Sequence, residues 1–271
     1  MIPPFVGAEW LEAHRDQVVV ADVRWYLDGR SGRDAYDAGH LPGAVFVDLD
    51  RVLADPPGDA VGRHPLPEPE DFARELGALG IGDGDTVVGY DDADGLIAAR
   101  LVWMLRTIDH PAALLDGGLS AWRGGLESTP TARPPASFTP RPWPPGAIAS
   151  IDEVAEVAGA DGIVIDGRDR SRFAGGPDPV DPRSGHIPGA VSVPARENVD
   201  ASGKLLPDRK LRRRFAEAGV ETATSVISYC GSGVTACHNL LALEHAGLGT
   251  GRLYPGSWSQ WSRDVTRPIE T

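Results

Sequence analysis

The sequence predicts an α/β fold with mainly parallel sheets, and it predicts this fold twice along the chain. Apolar stretches of about four to six residues, typical of buried parallel strands, alternate with helical patterns such as residues 69–79 and 98–106. Several segments also recur in the same order about 140 residues apart, whereas solenoid repeats are only ~20 to 50 residues long. We therefore predict two tandem α/β domains.

Four pairs of segments carry this internal repeat. They are 18–24 with 163–168, 39–47 with 185–193, 86–91 with 225–230, and 115–118 with 253–256. The first pair is a strand that ends in an acid and an arginine, and the second pair shares Gly-His-x-Pro-Gly-Ala-Val. Features present in both copies are more typical of the fold than of a reaction. We therefore interpret Asp22 with Arg24, and Asp166 with Arg168, as buried ion pairs.

The same reasoning applies to His40 and His186, each of which precedes an x-Pro-Gly turn. Metal binding is an alternative for a histidine, but both copies have this one, so we interpret the pair as part of the fold. Trp122 and Trp261, which also correspond, are interpreted as packing residues.

A proline-rich segment separates the two copies. Residues 127–150 include seven prolines between Pro130 and Pro145, and proline at this density is incompatible with a helix or a central strand. We predict a first domain over residues 1–126, an extended linker over 127–150 and a second domain over 151–271.

The composition limits the kinds of partner that we expect this protein to bind and indicates where in the cell we expect it. With 41% hydrophobic and 24% charged residues, the chain is an ordinary globular protein. Its formal net charge of -13 argues against nucleic acid or an anionic membrane as a partner. The first residues lack a basic and apolar leader pattern, so we expect a cytoplasmic protein. Two cysteines are too few for a disulfide framework or a structural zinc site.

Cys230 is the residue that points most directly to chemistry. It follows the apolar stretch 225–229 and opens the small-residue turn Cys-Gly-Ser-Gly-Val-Thr-Ala, which leads into a helical pattern. The amides of such a turn converge on its centre, and the helix dipole adds partial positive charge, so a thiolate should be stabilised there. The alternative is a buried cysteine that serves as a small apolar residue, which is our interpretation of Cys237, about two helical turns further along.

The repeat offers an internal comparison for this cysteine. Asp91 stands at the corresponding position of the first copy, followed by Asp92-Ala-Asp94-Gly. A carboxylate cannot carry sulfur, and three acids in one turn should repel a thiolate or an anionic ligand. We therefore expect the first domain to be catalytically silent.

Taken together, the cysteine turn, the duplicated Gly-His-x-Pro-Gly-Ala segments and the first copy without cysteine resemble the two-domain rhodanese family. The resemblance covers nearly the whole chain and is strongest to the 3-mercaptopyruvate sulfurtransferase branch, with the thiosulfate sulfurtransferases next. It implies a five-stranded, mainly parallel sheet flanked by helices in each domain and a site between the domains. It also implies transfer of sulfane sulfur through an enzyme persulfide, with Cys230 as the nucleophile.

For substrate binding, Arg172 is similar to the family arginine that binds the mercaptopyruvate carboxylate, as a planar guanidinium suits that group. The family has a second substrate arginine after a Pro-Glu-Pro segment. Here Pro177-Asp178-Pro179 is followed by Val180. Arg183 and Arg170 are the candidates to replace the missing arginine.

The resemblance also suggests a proton relay. His64 is similar to a first-domain histidine that works with the loop serine, here Ser232, and with an acid for which Asp50 is the candidate. Backbone amides from Gly231, Gly233, Val234 and Thr235 would hold the persulfide anion. No metal and no organic cofactor is expected.

The sequence thus predicts a sulfurtransferase that moves sulfur from a small-molecule donor, 3-mercaptopyruvate, to cyanide or to an acceptor thiol such as thioredoxin. Thiosulfate is the alternative donor, although relatives that prefer it have cationic residues where this loop has Gly231 and Ser232. A cysteine phosphatase would need an arginine at Ala236. The retained Cys230 argues against a non-enzymatic binding scaffold.

Overall fold

A computed structural model of the protein describes residues 2–160 and 162–271. The chain divides into two compact units, and neither is continuous in sequence. The first contains the residues up to Asp55, Pro67–Trp143 and Ala201–Leu205, and the second contains Pro56–Leu66, Pro144–Asp200 and Leu206–Thr271. Each unit has a parallel sheet with helices around it, which confirms the predicted α/β fold.

The first unit is built on a five-stranded parallel sheet. In chain order its elements are β1 (Phe5–Val6), α1 (Ala8–His14), β2 (Val19–Asp22), α2 (Gly32–Ala38), β3 (Val45–Phe46), α3 (Leu49–Val52), α4 (Pro69–Ala78), β4 (Val87–Tyr90), α5 (Ala99–Thr107), β5 (Ala112–Leu115) and α6 (Gly118–Ala121). The strand order is β1-β5-β4-β2-β3. Strands β2, β4 and β5 are buried along their whole length, as expected for a sheet covered on both faces.

The second unit repeats this plan with fewer strands. Its elements are α7 (Ile151–Ala158), β6 (Ile163–Asp166), α8 (Arg170–Phe173), β7 (Val191–Ser192), α9 (Asp208–Glu217), β8 (Val226–Tyr229), α10 (Ala236–His245), β9 (Arg252–Leu253) and α11 (Ser257–Trp261). The parallel strand order is β7-β6-β8-β9. Short 3₁₀ turns lie at Arg15–Gln17 in the first unit and at Pro145–Ala147, Ala195–Asn198 and Ala223–Ser225 in the second.

The described part of the second sheet therefore has four strands, where the resemblance implied five. The segment that corresponds to β1 contributes only an isolated parallel bridge between Ile148 and Leu253. Pro144 and Pro145 lie four and three residues before Ile148, and because proline has no N–H, neither residue can donate to the ladder.

Both predicted ion pairs are present and buried. Arg24 donates to both carboxylate oxygens of Asp22, with Nη2–Oδ2 at 2.7 Å. Arg168 does the same to Asp166, at 2.6 Å. Each arginine also donates to the backbone carbonyl of the glycine in its Gly-His segment, Gly39 for Arg24 and Gly185 for Arg168. These pairs thus hold the turn against the end of the strand that carries the acid, which confirms their role in the fold.

His40 and His186 also have corresponding structural roles. The His40 ring stacks on Tyr36 with 3.8 Å between centroids, and the His186 ring stacks on Phe173 at 3.7 Å. In each case Nδ1 contacts the backbone carbonyl of the residue on which the ring stacks. Each histidine therefore packs on an aromatic ring and holds its turn through a hydrogen bond, as the repeat predicted.

The proline-rich segment is packed against the first unit up to Trp143. Ala136 donates its N–H to the Gly77 carbonyl at 2.9 Å, and Phe138 makes an edge contact with Phe72. The Trp143 indole donates to the Pro67 carbonyl at 2.8 Å. Sequence left open whether the segment floats or packs. These contacts hold the segment against α4 and against the residues just before it.

None of the helices in residues 2–160 and 162–271 is long and apolar enough to cross a bilayer.

Candidate active site

Cys230 lies at the carboxyl end of β8, in the middle of the second sheet. The thiol-bearing residue is buried, with 2% of its surface exposed. Its N–H donates to the Ser257 hydroxyl at 3.2 Å, and its carbonyl accepts from the Trp258 N–H at 3.0 Å. The first turn of α11 therefore fixes the backbone on which the thiol is carried.

The loop after Cys230 presents several unused backbone donors. Within the described residues, no hydrogen bond is donated by the amides of Gly231, Ser232, Val234, Thr235 or Ala236. Gly233 has a positive φ of 76°, and a Cβ there would lie 2.7 Å from the Pro255 carbonyl oxygen. Glycine is therefore required for this path of the loop. Backbone amides that lack an acceptor and lie just before a helix N-terminus favour the binding of an anion.

In the corresponding loop of the first unit, the backbone amides donate to the side chain of Asp91. Tyr90 and Tyr229 occupy equivalent registers, since each is paired with the acid that ends the neighbouring strand. Asp91 therefore corresponds to Cys230. Its Oδ1 accepts from the amides of Ala93 and Gly95 at 2.8 Å, and its Oδ2 accepts from two more amides at 2.7 Å.

The Asp91 carboxylate thus fills its own loop. Repulsion of an external anion by the acids of this turn stays a prediction, and the occupied amides are a second reason to expect this loop to be silent. Burial raises the pKa of Asp91 above its ordinary value, against the lowering effect of the four amides. The comparison indicates that this loop geometry can hold a buried anion when the amides converge on it.

We expect Asp91→Ala to lower the free energy of unfolding of the first unit by about 2 to 4 kcal/mol, because four amides lose their acceptor. Urea denaturation followed by tryptophan fluorescence measures the change. The matched control is Asp92→Ala, since Asp92 is exposed and accepts from the Tyr26 hydroxyl. That variant should stay within about 1 kcal/mol of the parent. Equal effects for the two variants would contradict this interpretation of the loop.

His64 and Ser232 are in direct contact. His64 Nδ1 lies 2.8 Å from Ser232 Oγ, and both residues are buried. The segment Pro56–Leu66 that carries His64 belongs to the second compact unit, although it precedes α4 in sequence. The structure thus brings together the histidine and the loop serine that the sequence proposed as partners.

Asp50 is an exposed residue of α3 in the first unit, and its Oδ2 accepts from the Trp25 indole at 2.9 Å. Its proposed part in the relay stays a prediction.

Arginine side chains lie beside the cysteine loop. Arg172 on α8 donates to Asp178 through Nε at 3.0 Å and Nη2 at 2.7 Å, and its Nη2 is 3.2 Å from Asp181. A Cβ placed on Gly231 would be 3.3 Å from Arg63 Nη2 and 3.6 Å from Arg172 Nη1. Two guanidinium groups therefore face the residue that follows Cys230.

Buried carboxylates hold these arginines in place. Asp181 accepts from Arg63 at 2.7 Å, and the side chains of Asp178 and Asp181 are at most 1% exposed. Burial raises the pKa of Asp178, but the hydrogen bond from Arg172 and backbone amides outweigh it and hold the pKa below its ordinary value. Sequence reasoning did not identify Asp178, Asp181 or Arg63 as part of the site.

Arg183 and Arg170, the candidates for the second substrate arginine, have other partners in the structure. Arg183 donates to four backbone carbonyls of the C-terminal segment, those of Trp261, Ser262, Asp264 and Arg267. Its donors are therefore occupied with holding that segment. Arg170 is 61% exposed and pairs with Glu197 on the surface.

Cys237 and His238 lie on α10 behind the loop, and both are fully buried. The Cys237 thiol contacts the Gly233 carbonyl at 3.3 Å. Burial lowers the pKa of His238 to about 4, so the imidazole is neutral at physiological pH. Their burial agrees with the packing role that the sequence suggested for Cys237.

Comparisons with known proteins agree with this geometry. The profile of the Rhodanese-like domain matches residues 7–124 and 150–264. The "Probable 3-mercaptopyruvate sulfurtransferase" of Pseudomonas aeruginosa is 40% identical over 94% of this chain and 92% of its own length. "Thiosulfate/3-mercaptopyruvate sulfurtransferase 2" of Arabidopsis thaliana is 33% identical over 98% of this chain and 86% of its own.

Among solved structures, the 3-mercaptopyruvate sulfurtransferase from Leishmania major superimposes with a TM-score of 0.88. It is 30% identical, and the match covers 98% of this chain and 76% of that chain. The duplicated parallel sheets, the cysteine loop and these matches establish that the chain belongs to the rhodanese family, with two rhodanese-like domains.

Proposed function

We propose that this chain is a sulfurtransferase that moves sulfane sulfur from 3-mercaptopyruvate to a thiol or to cyanide through a persulfide on Cys230. The observation that carries the proposal is the setting of this thiol. It is buried at the head of a loop in which the amides of Gly231, Ser232, Val234, Thr235 and Ala236 have no acceptor within the described residues, and two guanidinium groups face the next residue. This arrangement suits an anionic sulfur and an anionic donor at the same place.

In the first half-reaction, the Cys230 thiolate attacks the sulfur of the donor. The new bond joins the two sulfur atoms, while the bond between the donor sulfur and its carbon breaks. The electron pair of that bond goes to the carbon as the enolate of pyruvate. The proton that the donor thiol loses is the proton that the enolate carbon needs, so the step is balanced without an external acid.

His64 and Ser232 are the groups we assign to this proton transfer. The 2.8 Å contact between Nδ1 and Oγ allows a proton to pass between the hydroxyl and the imidazole. In the second half-reaction, an acceptor thiolate or cyanide attacks the outer sulfur and releases the Cys230 thiolate. The amides of Gly231, Gly233, Val234 and Thr235 stabilise the persulfide anion between the two steps.

This proposal assigns the halves of the chain different tasks. The domain over residues 1–126 has Asp91 where a sulfur carrier would stand, so it is silent, and residues 127–150 connect it to the catalytic domain over 151–271. The contacts of His64 and Arg63 add residues 56–66 to the catalytic side. We place the reaction in the cytoplasm, where an acceptor such as thioredoxin stays reduced.

Thiosulfate is the second candidate donor, since the Arabidopsis relative carries both donors in its name. We expect the kcat/KM for 3-mercaptopyruvate to exceed that for thiosulfate by at least about tenfold. The reason is that the loop itself supplies no cation at Gly231 or Ser232, while paired guanidinium groups match a planar carboxylate. Initial rates with the two donors, at equal cyanide concentration, measure the ratio. A higher value for thiosulfate would assign the chain to that donor.

A further inference from the structure

Two buried asparagines lie behind the cysteine loop and contact each other. Asn239 is near the start of α10, Asn198 ends the 3₁₀ turn that follows β7, and both are 0% exposed. Asn198 Nδ2 donates to Asn239 Oδ1 at 2.7 Å and lies 3.3 Å from Nδ1 of His238. A buried amide costs free energy unless its donors and acceptors are paired, so the partners of this pair show which elements it joins.

Those partners connect α10 to β7 and to α9. Asn239 Nδ2 donates to the carbonyl of Val193, directly after β7, at 2.9 Å. Asn198 Oδ1 accepts from Nε of Arg214, on α9, at 3.1 Å. Arg214 Nη2 in turn donates to the Pro194 carbonyl at 2.7 Å. A buried polar network that is paired in this way makes its surroundings rigid, so the start of α10 is fixed to the end of β7.

The network also lies close to Cys230. A Cβ placed on Gly167 would be 3.3 Å from Asn239 Nδ2 and 3.6 Å from Cys230 Cβ. Gly167 therefore borders both the network and the residue that carries the thiol. Because α10 begins at Ala236, directly after the cysteine loop, the position of this helix sets where the last amides of the loop point.

The first unit has different residues at the three corresponding positions. One position follows the acid at the end of the strand, one ends the turn after the edge strand, and one lies as far after Asp91 as Asn239 lies after Cys230. These residues are Val23, Val52 and Arg100 in the first unit and Gly167, Asn198 and Asn239 in the second. Polar residues that both copies share belong to the fold, as the buried Asp–Arg pairs show. A polar pair confined to the copy with the cysteine points instead to the reaction.

Resting on the proposed sulfur transfer, we infer that Asn239, held by Asn198, is a positioning residue for the sulfur carrier. It acts through α10: its hydrogen bond to Val193 fixes the start of the helix and thereby keeps the amides of Val234 and Thr235 directed at the sulfur. Loss of this hydrogen bond would weaken the stabilisation of the persulfide anion that forms during turnover, while the groups that bind the donor stay in place.

The test compares Asn239→Leu with Val154→Ala. Leucine is close to asparagine in shape but has no amide, so the first change removes the hydrogen bonds to Asn198 and Val193. Val154 is a fully buried residue of α7, and its truncation removes only apolar contacts. We expect Asn239→Leu to lower kcat with 3-mercaptopyruvate by about 10- to 100-fold and to keep KM within about threefold. Val154→Ala should keep both within about threefold.

Asn198→Leu provides a second variant, which leaves the hydrogen bond from Asn239 to Val193 in place. We expect it to lower kcat by about 3- to 10-fold, since Asn198 acts through Asn239. The variant with both changes should be within about threefold of Asn239→Leu, because residues that act as one unit do not lose activity additively. Rates are measured well below the melting temperature of each variant, so that a general loss of stability does not enter them.

A further measurement does not depend on turnover. Hydrogen exchange at the backbone amides of residues 237–240, followed by mass spectrometry, reports how firmly the start of α10 is held. We expect exchange there to be about tenfold faster or more in Asn239→Leu than in Val154→Ala.

Three results would overturn the inference: an unchanged kcat in Asn239→Leu, a loss confined to KM, or equal hydrogen exchange in Asn239→Leu and Val154→Ala. Failure of the proposed function looks different, since the parent protein would then gain no sulfur from 3-mercaptopyruvate. In that case hydrogen exchange still shows whether Asn239 holds the start of α10.

Discussion

Replacement of Cys230 by serine is expected to lower sulfur transfer by at least about 10³-fold, because a hydroxyl neither attacks the donor sulfur nor carries it as a persulfide. Serine is close to cysteine in size, so the buried position at the end of β8 should be preserved. Thiocyanate formation from 3-mercaptopyruvate and cyanide measures the rate, and far-ultraviolet circular dichroism confirms that the variant is folded.

Cys237→Ser is the matched control, seven residues further along the chain. The Cys237 thiol contacts the Gly233 carbonyl, and a serine hydroxyl is able to donate to the same oxygen. We expect its rate to stay within about tenfold of the parent, since the change affects packing and not chemistry. If Cys230→Ser retained the activity of this control, the sulfur carrier would not be Cys230.

The second large effect is expected at the His64 and Ser232 pair. His64→Asn and Ser232→Ala should each lower kcat by about 10²- to 10³-fold, because a positioned proton donor and acceptor contributes that much to a rate. The double variant should be little slower than the slower single variant, since the two residues act as one relay. Steady-state kinetics at saturating 3-mercaptopyruvate measure all three.

His245→Gln provides the control for loss of an imidazole from the second unit. His245 lies at the end of α10 and is near Asp208, at 3.2 Å. We expect this variant to keep kcat within about threefold of the parent. Multiplicative losses in the His64 and Ser232 double variant, or losses confined to KM, would show that the pair binds the donor without moving a proton.

Much of the fold could be predicted from local patterns. Buried parallel strands appear as short apolar runs, and the repeat exposes which polar residues belong to both copies. This comparison identified the Asp22–Arg24 and Asp166–Arg168 pairs, which are indeed buried and bidentate. The number of strands in the second sheet was harder to predict, because the bridge at Ile148 depends on the path that the chain takes after the prolines.

The arginine beside the loop could not be predicted in the same way. Arg63 lies far from Cys230 in sequence, in a segment of irregular structure within the predicted first domain, and irregular segments have no periodicity that reveals where they pack. Only the tertiary fold shows that residues 56–66 belong to the second compact unit. Asp91 was identified, but its role as a ligand of its own loop depends on where four backbone amides point.

The most direct measurement is the mass of the protein after incubation with 3-mercaptopyruvate in the absence of an acceptor. We predict a gain of about 32 Da, the mass of one sulfur atom, on the peptide that contains Cys230. Added thiol reductant should remove it, and Cys230→Ser should not acquire it. A parent protein that gains no sulfur, or that carries it on Cys237, would contradict the account.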